Sequence, residues 1–133
     1  MLFRSKALTV RRGYEFNTKL KAMPVSQHIG ASPVEKSFAG VNAENVVLTA
    51  VKKTEDGSAL LFRFYEWAGT TSEVQLTVPA GATSATLTNL MEQPEGSPLA
   101  VTRDSKITVS IHPYEIVSVR VDYPSTTASA QAK

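Results

Sequence analysis

From Val46 onward, short apolar or alternating runs are separated by turn-forming residues, which is the signature of an all-β fold. The clearest unit is a hairpin. The run NVVLTAVKK (45–53) is followed by TEDGSA, whose Asp56-Gly57 pair supplies turn chemistry, and then by LLFRFYEW (60–67). Further strands are predicted at EVQLTVP (73–79), SATLTNLM (84–91), LAVTR (99–103), KITVSIHP (106–113) and YEIVSVRVDY (114–123). The breaks between them fall at Gly69, Pro79-Ala80-Gly81, Pro94 to Pro98, Asp104-Ser105 and Pro113. A spacing of about ten residues leaves no room for crossover helices, so the strands are expected to pair antiparallel. The predicted fold is an antiparallel β-sandwich of the immunoglobulin-like or Greek-key type.

Residues 1–45 carry a weaker pattern. Segments 7–12 and 14–22 read as extended, and VSQHIGASPVEKSFAGVNAEN (25–45) reads as a long loop with one short strand near Lys36 to Phe38. No helix longer than about two turns is expected. After Tyr123, PSTTASAQAK (124–133) contains no large apolar residue and cannot offset its ordering entropy, so a disordered tail is expected. The organisation is thus a lead-in over 1–13, a single β-sandwich domain over 14–123 and a tail over 124–133. The 133 residues suffice for one domain with its own core.

Alternation assigns faces within the hairpin. Leu60, Phe62, Phe64 and Glu66 share one face of their strand, and Leu61, Arg63, Tyr65 and Trp67 the other. The first set is the predicted core face. Glu66 continues it to the strand end, where a carboxylate can reach water or the N–H groups of a neighbouring loop. Closure around Asp56-Gly57 places Glu66 opposite Val46 or Val47.

Charge and composition narrow the function classes. Fourteen Lys and Arg against twelve Asp and Glu leave a net charge of only +2, too small and dispersed for nucleic-acid binding. The basic cluster of Arg11, Arg12, Lys19 and Lys21 is interleaved with Glu15 and apolar residues, as on a solvated face. The absence of cysteine removes disulfides, thiol catalysis and cysteine-ligated zinc, but assigns no compartment. No apolar run approaches the ~20 residues of a membrane-spanning helix, and MLFRSKALTV lacks the apolar region of a signal peptide. The localisation stays unassigned, and no membrane partner is expected.

Three glutamates, Glu66, Glu92 and Glu115, follow apolar strand segments or a turn. A glycosidase needs two carboxylates about 5 to 10 Å apart across a cleft, but the hairpin register sets Glu66 against a valine. Structural roles, bonding loops or pairing with Arg or Lys, are therefore expected for all three. The two histidines, His28 and His112, have no acidic partners at a metal-binding spacing, and a catalytic zinc commonly needs three protein ligands. There is no nucleophile elbow and no Gly-rich phosphate loop. Tyr65, Trp67 and Tyr114 admit three readings: an aromatic platform for a sugar ring, a contact to another domain beside Arg63, or simple burial.

The run NVVLTAVKKTEDGSALLFRFYEWAG, followed by NLMEQ and IHPYEIVSVRV, resembles the C-terminal β-sandwich domain of the family-38 glycoside hydrolases, the α-mannosidases. The shared order is a strand ending in a Lys pair, an acidic turn, a strand ending near Arg-x-Tyr-Glu, a later Asn-Leu-x-Glu, and a last strand opening with Pro-aromatic-Glu-Ile. YEFNTKL (14–20) resembles the segment that leads into this domain, although Lys19 stands where those enzymes commonly have proline. The resemblance covers residues 14–123. It implies a piece of a larger zinc-dependent enzyme whose nucleophile and zinc ligands lie in another domain, so no catalytic, cofactor or metal residue is expected here. The isolated chain is then expected neither to hydrolyse aryl α-mannosides nor to bind zinc tightly. Arg63, Glu66, Glu92 and Glu115 carry over as motif positions, with structural or domain-contact roles, and the implied partners are the preceding domains of the glycosidase. A carbohydrate-binding module, with glycans as partners, and a free-standing immunoglobulin-like interaction domain are the alternatives.

Overall fold

The computed structural model describes residues 9–124, apart from 28 and 32. His28, the start of the lead-in and the tail beyond Pro124 lie outside the described residues. The chain divides between Lys36 and Ser37 into two units.

Among the described residues the first unit holds one helix, α1 (Thr9–Asn17), where the sequence reads as extended. Its nine residues make about 2.5 turns. It buries no residue and is held by local bonds. Arg12 pairs with Glu15 one turn on at 2.6 Å, the Asn17 side chain donates to the Gly13 carbonyl, and Thr18 N–H closes the last turn on Tyr14 O. Nine residues are too short a run for periodicity to mark a helix.

The second unit is the sandwich. Its strands are β1 (Gly40–Val41), β2 (Val46–Lys53), β3 (Ala59–Glu66), β4 (Ser72–Thr77), β5 (Ser84–Thr88), β6 (Pro94–Leu99), β7 (Lys106–Ile111) and β8 (Ile116–Asp122). One sheet has the order β1-β4-β7 and the other β2-β3-β8-β5-β6, antiparallel throughout, with β8 inserted between β3 and β5. Val46, Phe62, Phe64, Ala85, Val117, Val119 and Val121 of the second sheet meet Val74, Leu76, Ile107, Val109 and Ile111 of the first in one core. The predicted β-sandwich is therefore the observed architecture.

The hairpin register puts Val46 opposite Glu66 and Leu48 opposite Phe64, as alternation requires. A register shift between Leu48 and Ala50 leaves Thr49 unpaired in the ladder, and its hydroxyl donates to the Arg63 carbonyl at 2.9 Å.

Two strands differ from the sequence reading. The N-terminal strand is Gly40–Val41 rather than 36–38, paired with Thr77 and Leu76. Of the predicted strand 99–103, Leu99 ends β6 opposite Ala85 and Val101 makes a single bridge to Ile107, while Pro94 to Pro98, read as a break, form the rest of β6. Prolines remove ladder donors, but β6 is the edge of its sheet, where one side needs no donors. Leu61 is the other difference. Although it points away from the core, it is buried, flanked in register by Lys52 and Arg120. Among the described residues no helix is long and apolar enough to cross a membrane.

Candidate functional site

Glu66 ends the core-facing row of β3, and its carboxylate is fully buried. Oε1 accepts hydrogen bonds from Ala68 N–H at 2.8 Å, Asn45 Nδ2 at 2.9 Å and the Thr70 hydroxyl at 3.3 Å. Oε2 accepts from Gly69 N–H at 2.7 Å and Tyr114 N–H at 3.0 Å. Three segments thus converge on one side chain: the turn before β2, the loop after β3 and the turn before β8. Burial works to raise this carboxyl's pKa. The bonds from Tyr114, Asn45, Ala68 and Gly69 outweigh that burial and lower it to about 2. A carboxylate committed to five donors and closed to solvent is a structural clamp and cannot meet a substrate.

The turn that Glu66 holds is under backbone strain. Glu115 N–H bonds His112 O at 3.2 Å, with Pro113 at the second position and Tyr114 at φ 60° in the third, where glycine is usual. Glu115 fastens the same turn: its Oε2 accepts from His112 N–H at 2.7 Å and lies 3.0 Å from His112 Nδ1. The Tyr114 ring lies over Gly69. A Cβ at Gly69 would stand 2.5 Å from the Tyr114 hydroxyl oxygen, and Gly69 itself has φ 76°. Gly69→Ala is therefore expected to cost about 1–2 kcal/mol in urea denaturation, through both the displaced ring and the left-handed backbone. Unchanged stability would show that the ring contact and the backbone angle are both dispensable.

Arg63 and Glu92 act on the opposite face of the same sheet. Arg63 Nε donates to Ser118 Oγ on β8 at 2.9 Å, and its Nη2 donates to the Leu90 carbonyl at 3.2 Å. Glu92, at φ 65°, accepts Glu55 N–H at 2.8 Å and pairs with Lys52 Nζ at 2.6 Å. The Lys52 ammonium and the Glu55 N–H lower the Glu92 carboxyl's pKa. The loop 89–93 starts at the end of β5, yet its polar groups are fastened to β3, β2 and the β2–β3 turn. It therefore arches across the outer face of the sheet. Asn89 shapes the arch internally, its Oδ1 accepting Met91 N–H and Gln93 N–H.

The sequence candidates thus fall into two groups. Glu66, Tyr114 and Glu115 belong to the clamped turns, and Arg63 and Glu92 to the arch. Tyr65 and Trp67 are both half-buried. Tyr65 lies across the strand pair from Ile116, while the Trp67 indole N–H donates to the Glu44 carbonyl at 3.3 Å. Trp67 is bonded to the β1–β2 connection, and the Tyr114 ring lies against Gly69. The three glutamates are engaged separately, and no group of three His, Asp or Glu that could hold a metal occurs among the described residues.

Sequence reasoning missed Asn45, Lys52 and Gly69 as partners of these groups. Asn45 serves Glu66, Thr70 and Ser72 together. Its only local signal is an amide immediately before a strand. Gly69 carries a clearer one, as a glycine directly after a strand end.

A family model described as the glycosyl hydrolases family 38 C-terminal beta sandwich domain matches residues 45–119, more than half of the chain and nearly the whole run from β2 to β8. No curated protein matches the chain.

Proposed function

The chain belongs to the family 38 glycosyl hydrolase C-terminal beta sandwich domains, and from that premise we propose that it is the non-catalytic accessory domain of an α-mannosidase, packing against the preceding domains and stabilising the enzyme. In this reading the nucleophile and the zinc lie in the catalytic part of the parent, outside this chain. A family of C-terminal domains fits that role better than a free-standing interaction domain.

The supporting observation is that apolar side chains stand exposed on segments whose backbone is fixed. Leu90, Met91, Tyr114 and Ile116 are 60%, 79%, 70% and 56% exposed, far more than a sandwich core would leave. Arg63 pins the Leu90 carbonyl, Glu66 pins the Tyr114 amide, and Ile116 sits in the ladder opposite Tyr65. Apolar groups held rigidly at a surface suit docking, because little side-chain or loop freedom is left to lose on contact.

The test is a double substitution, Met91→Ser with Ile116→Thr. In the isolated domain it is expected to move stability by no more than about 0.5 kcal/mol per site, as at other exposed positions. In the intact parent it is expected to lower the thermal midpoint, since a docked apolar anchor is worth roughly 2 kcal/mol. Equal midpoints for wild type and variant in the intact enzyme would remove this surface from the domain contact.

A further inference from the structure

We propose that Asp56-Gly57, at the tip of the β2–β3 hairpin, is a latent isoaspartate site, held in check by the bonds that Arg120, Thr54 and Ser58 make to the Asp56 carboxylate. The site is independent of what the domain docks against.

Glycine after aspartate has no side chain to shield its nitrogen from the preceding carboxyl group, the Asp56 side chain is 54% exposed, and nothing lies within 4 Å of the place a Cβ on Gly57 would take. Neither burial nor crowding protects the pair. In the reaction the Gly57 amide nitrogen attacks Cγ of a protonated Asp56 side chain, a C–N bond forms, and one carboxyl oxygen leaves as water with the amide proton and the carboxyl proton. A five-membered succinimide results. Solvent water then adds to its main-chain carbonyl and breaks the C–N bond there, so that the chain continues through the former side chain and a new carboxylate is left on Cα. No atom is gained or lost overall, but the main chain is one carbon longer.

The folded tip restrains both reacting groups. Oδ1 of Asp56 accepts from the Thr54 hydroxyl at 2.5 Å, the Ser58 hydroxyl at 2.8 Å and Ser58 N–H at 3.0 Å, and Oδ2 accepts from Arg120 Nη1 at 2.9 Å. The bonds from Thr54, Ser58 and Arg120 hold the Asp56 pKa well below the usual carboxylate range, so the protonated form that can be attacked is scarce. The nitrogen is engaged as well, since Gly57 N–H donates to the Thr54 carbonyl at 2.8 Å. Arg120 is itself fixed, its Nε on Asp122 at 3.0 Å and its Nη2 on Ser58 Oγ at 2.7 Å. Attack therefore waits for the tip to open locally. The lock guards more than the tip, because Glu55 N–H donates to Glu92 Oε2 and Lys52 pairs with both Glu55 and Glu92. A carbon inserted at Asp56 would displace this support of the arch 89–93.

The test follows isoaspartate at Asp56 by peptide mapping, with fragmentation that separates the two isomers, in the full chain and in the free peptide KKTEDGSALL (52–61) held in the same neutral buffer. The chain is expected to isomerise at least about a hundredfold more slowly than the peptide, because at least two bonds to a charged group must open first and each is worth about a tenfold factor. Arg120→Gln removes the cation and is expected to speed the reaction in the chain about tenfold on the same reckoning. Ser58→Ala, at an exposed position, removes one donor to Asp56 and is expected to speed it less, but measurably. Asp104, exposed in the turn before β7 and followed by Ser105, is the internal reference for wholesale unfolding, and its rate is expected to be the same in wild type and both variants. A chain as fast as the peptide, two variants as slow as wild type, or Asp104 speeding up in step with Asp56 would each overturn the proposal.

Discussion

Glu66→Gln is expected to destabilise the sandwich by about 3 kcal/mol or more, although it removes no atom and only exchanges an oxygen for a nitrogen. Each carboxylate oxygen accepts at least two hydrogen bonds: Oε1 from Ala68 and Asn45, Oε2 from Gly69 and Tyr114. Whichever oxygen becomes an NH₂ group turns a donor toward two donors. Two bonds to a charged acceptor are then lost, each worth roughly 1.5–3 kcal/mol. Against a total stability of about 5–15 kcal/mol for a domain of this size, the variant is close to unfolding. The same site gives wild type a pH dependence. The folded pKa, about 2, lies below the ordinary 4.5. The unfolded chain therefore binds the proton first. The contribution is fully present above about pH 4.5 and is lost as pH falls from there toward 2. Urea denaturation at pH 7, 4 and 3 should show wild type losing its advantage over Glu66→Gln as the pH drops. A variant as stable as wild type at pH 7 would mean that the clamp does not hold the three segments together.

How much of this was readable in the sequence depends on the range of each interaction. Period-two alternation is a property of one strand, and it places Phe62, Phe64 and Glu66 on the core face, as found, while closure around Asp56-Gly57 narrows the residue opposite Glu66 to Val46 or Val47, of which the register takes Val46. It also sets Glu66 at a strand end, within reach of water or of loop N–H groups, and the structure takes the second. It could not name the donors, because Asn45 and Tyr114 lie 21 and 48 residues away and carry no local mark of the partnership. The strand β6 was hidden for a different reason. PEGSPL has turn composition, and only its position at a sheet edge makes its prolines compatible with pairing. NLMEQ belongs to the family resemblance, but its first three residues continue SATLT and read as the tail of a strand. Its real form, an arch across the outer face, depends on Arg63, Lys52 and Glu55, which are contributed by other elements.

The second large effect is expected from Phe64→Ala, at about 3–5 kcal/mol, because the side chain is fully enclosed between the two sheets and its neighbours in register, Leu48 and Val117, are held by their own ladders. Leu61→Ala makes the informative comparison. Alternation puts Leu61 on the outer face, and a freely solvated leucine there would cost little to truncate. It is instead only 1% exposed, between Lys52 and Arg120, whose charged ends are drawn to Glu92 and to Asp56 and Asp122. The aliphatic stems of those two side chains are the flexible part of its surroundings and can close on the space left by truncation. Leu61→Ala is therefore expected near the lower end of the range for buried leucine, about 2 kcal/mol. The burial should also depend on the arch. Glu92→Gln weakens the hold on Lys52, so the cost of Leu61→Ala in that background is expected to fall by about 0.5 kcal/mol or more, while the cost of Phe64→Ala stays the same. Paired urea denaturation of the single and double variants measures both couplings. Additive costs at Leu61 would show that its burial is independent of the ion pair, and that the arch does not protect the outer face of the sheet.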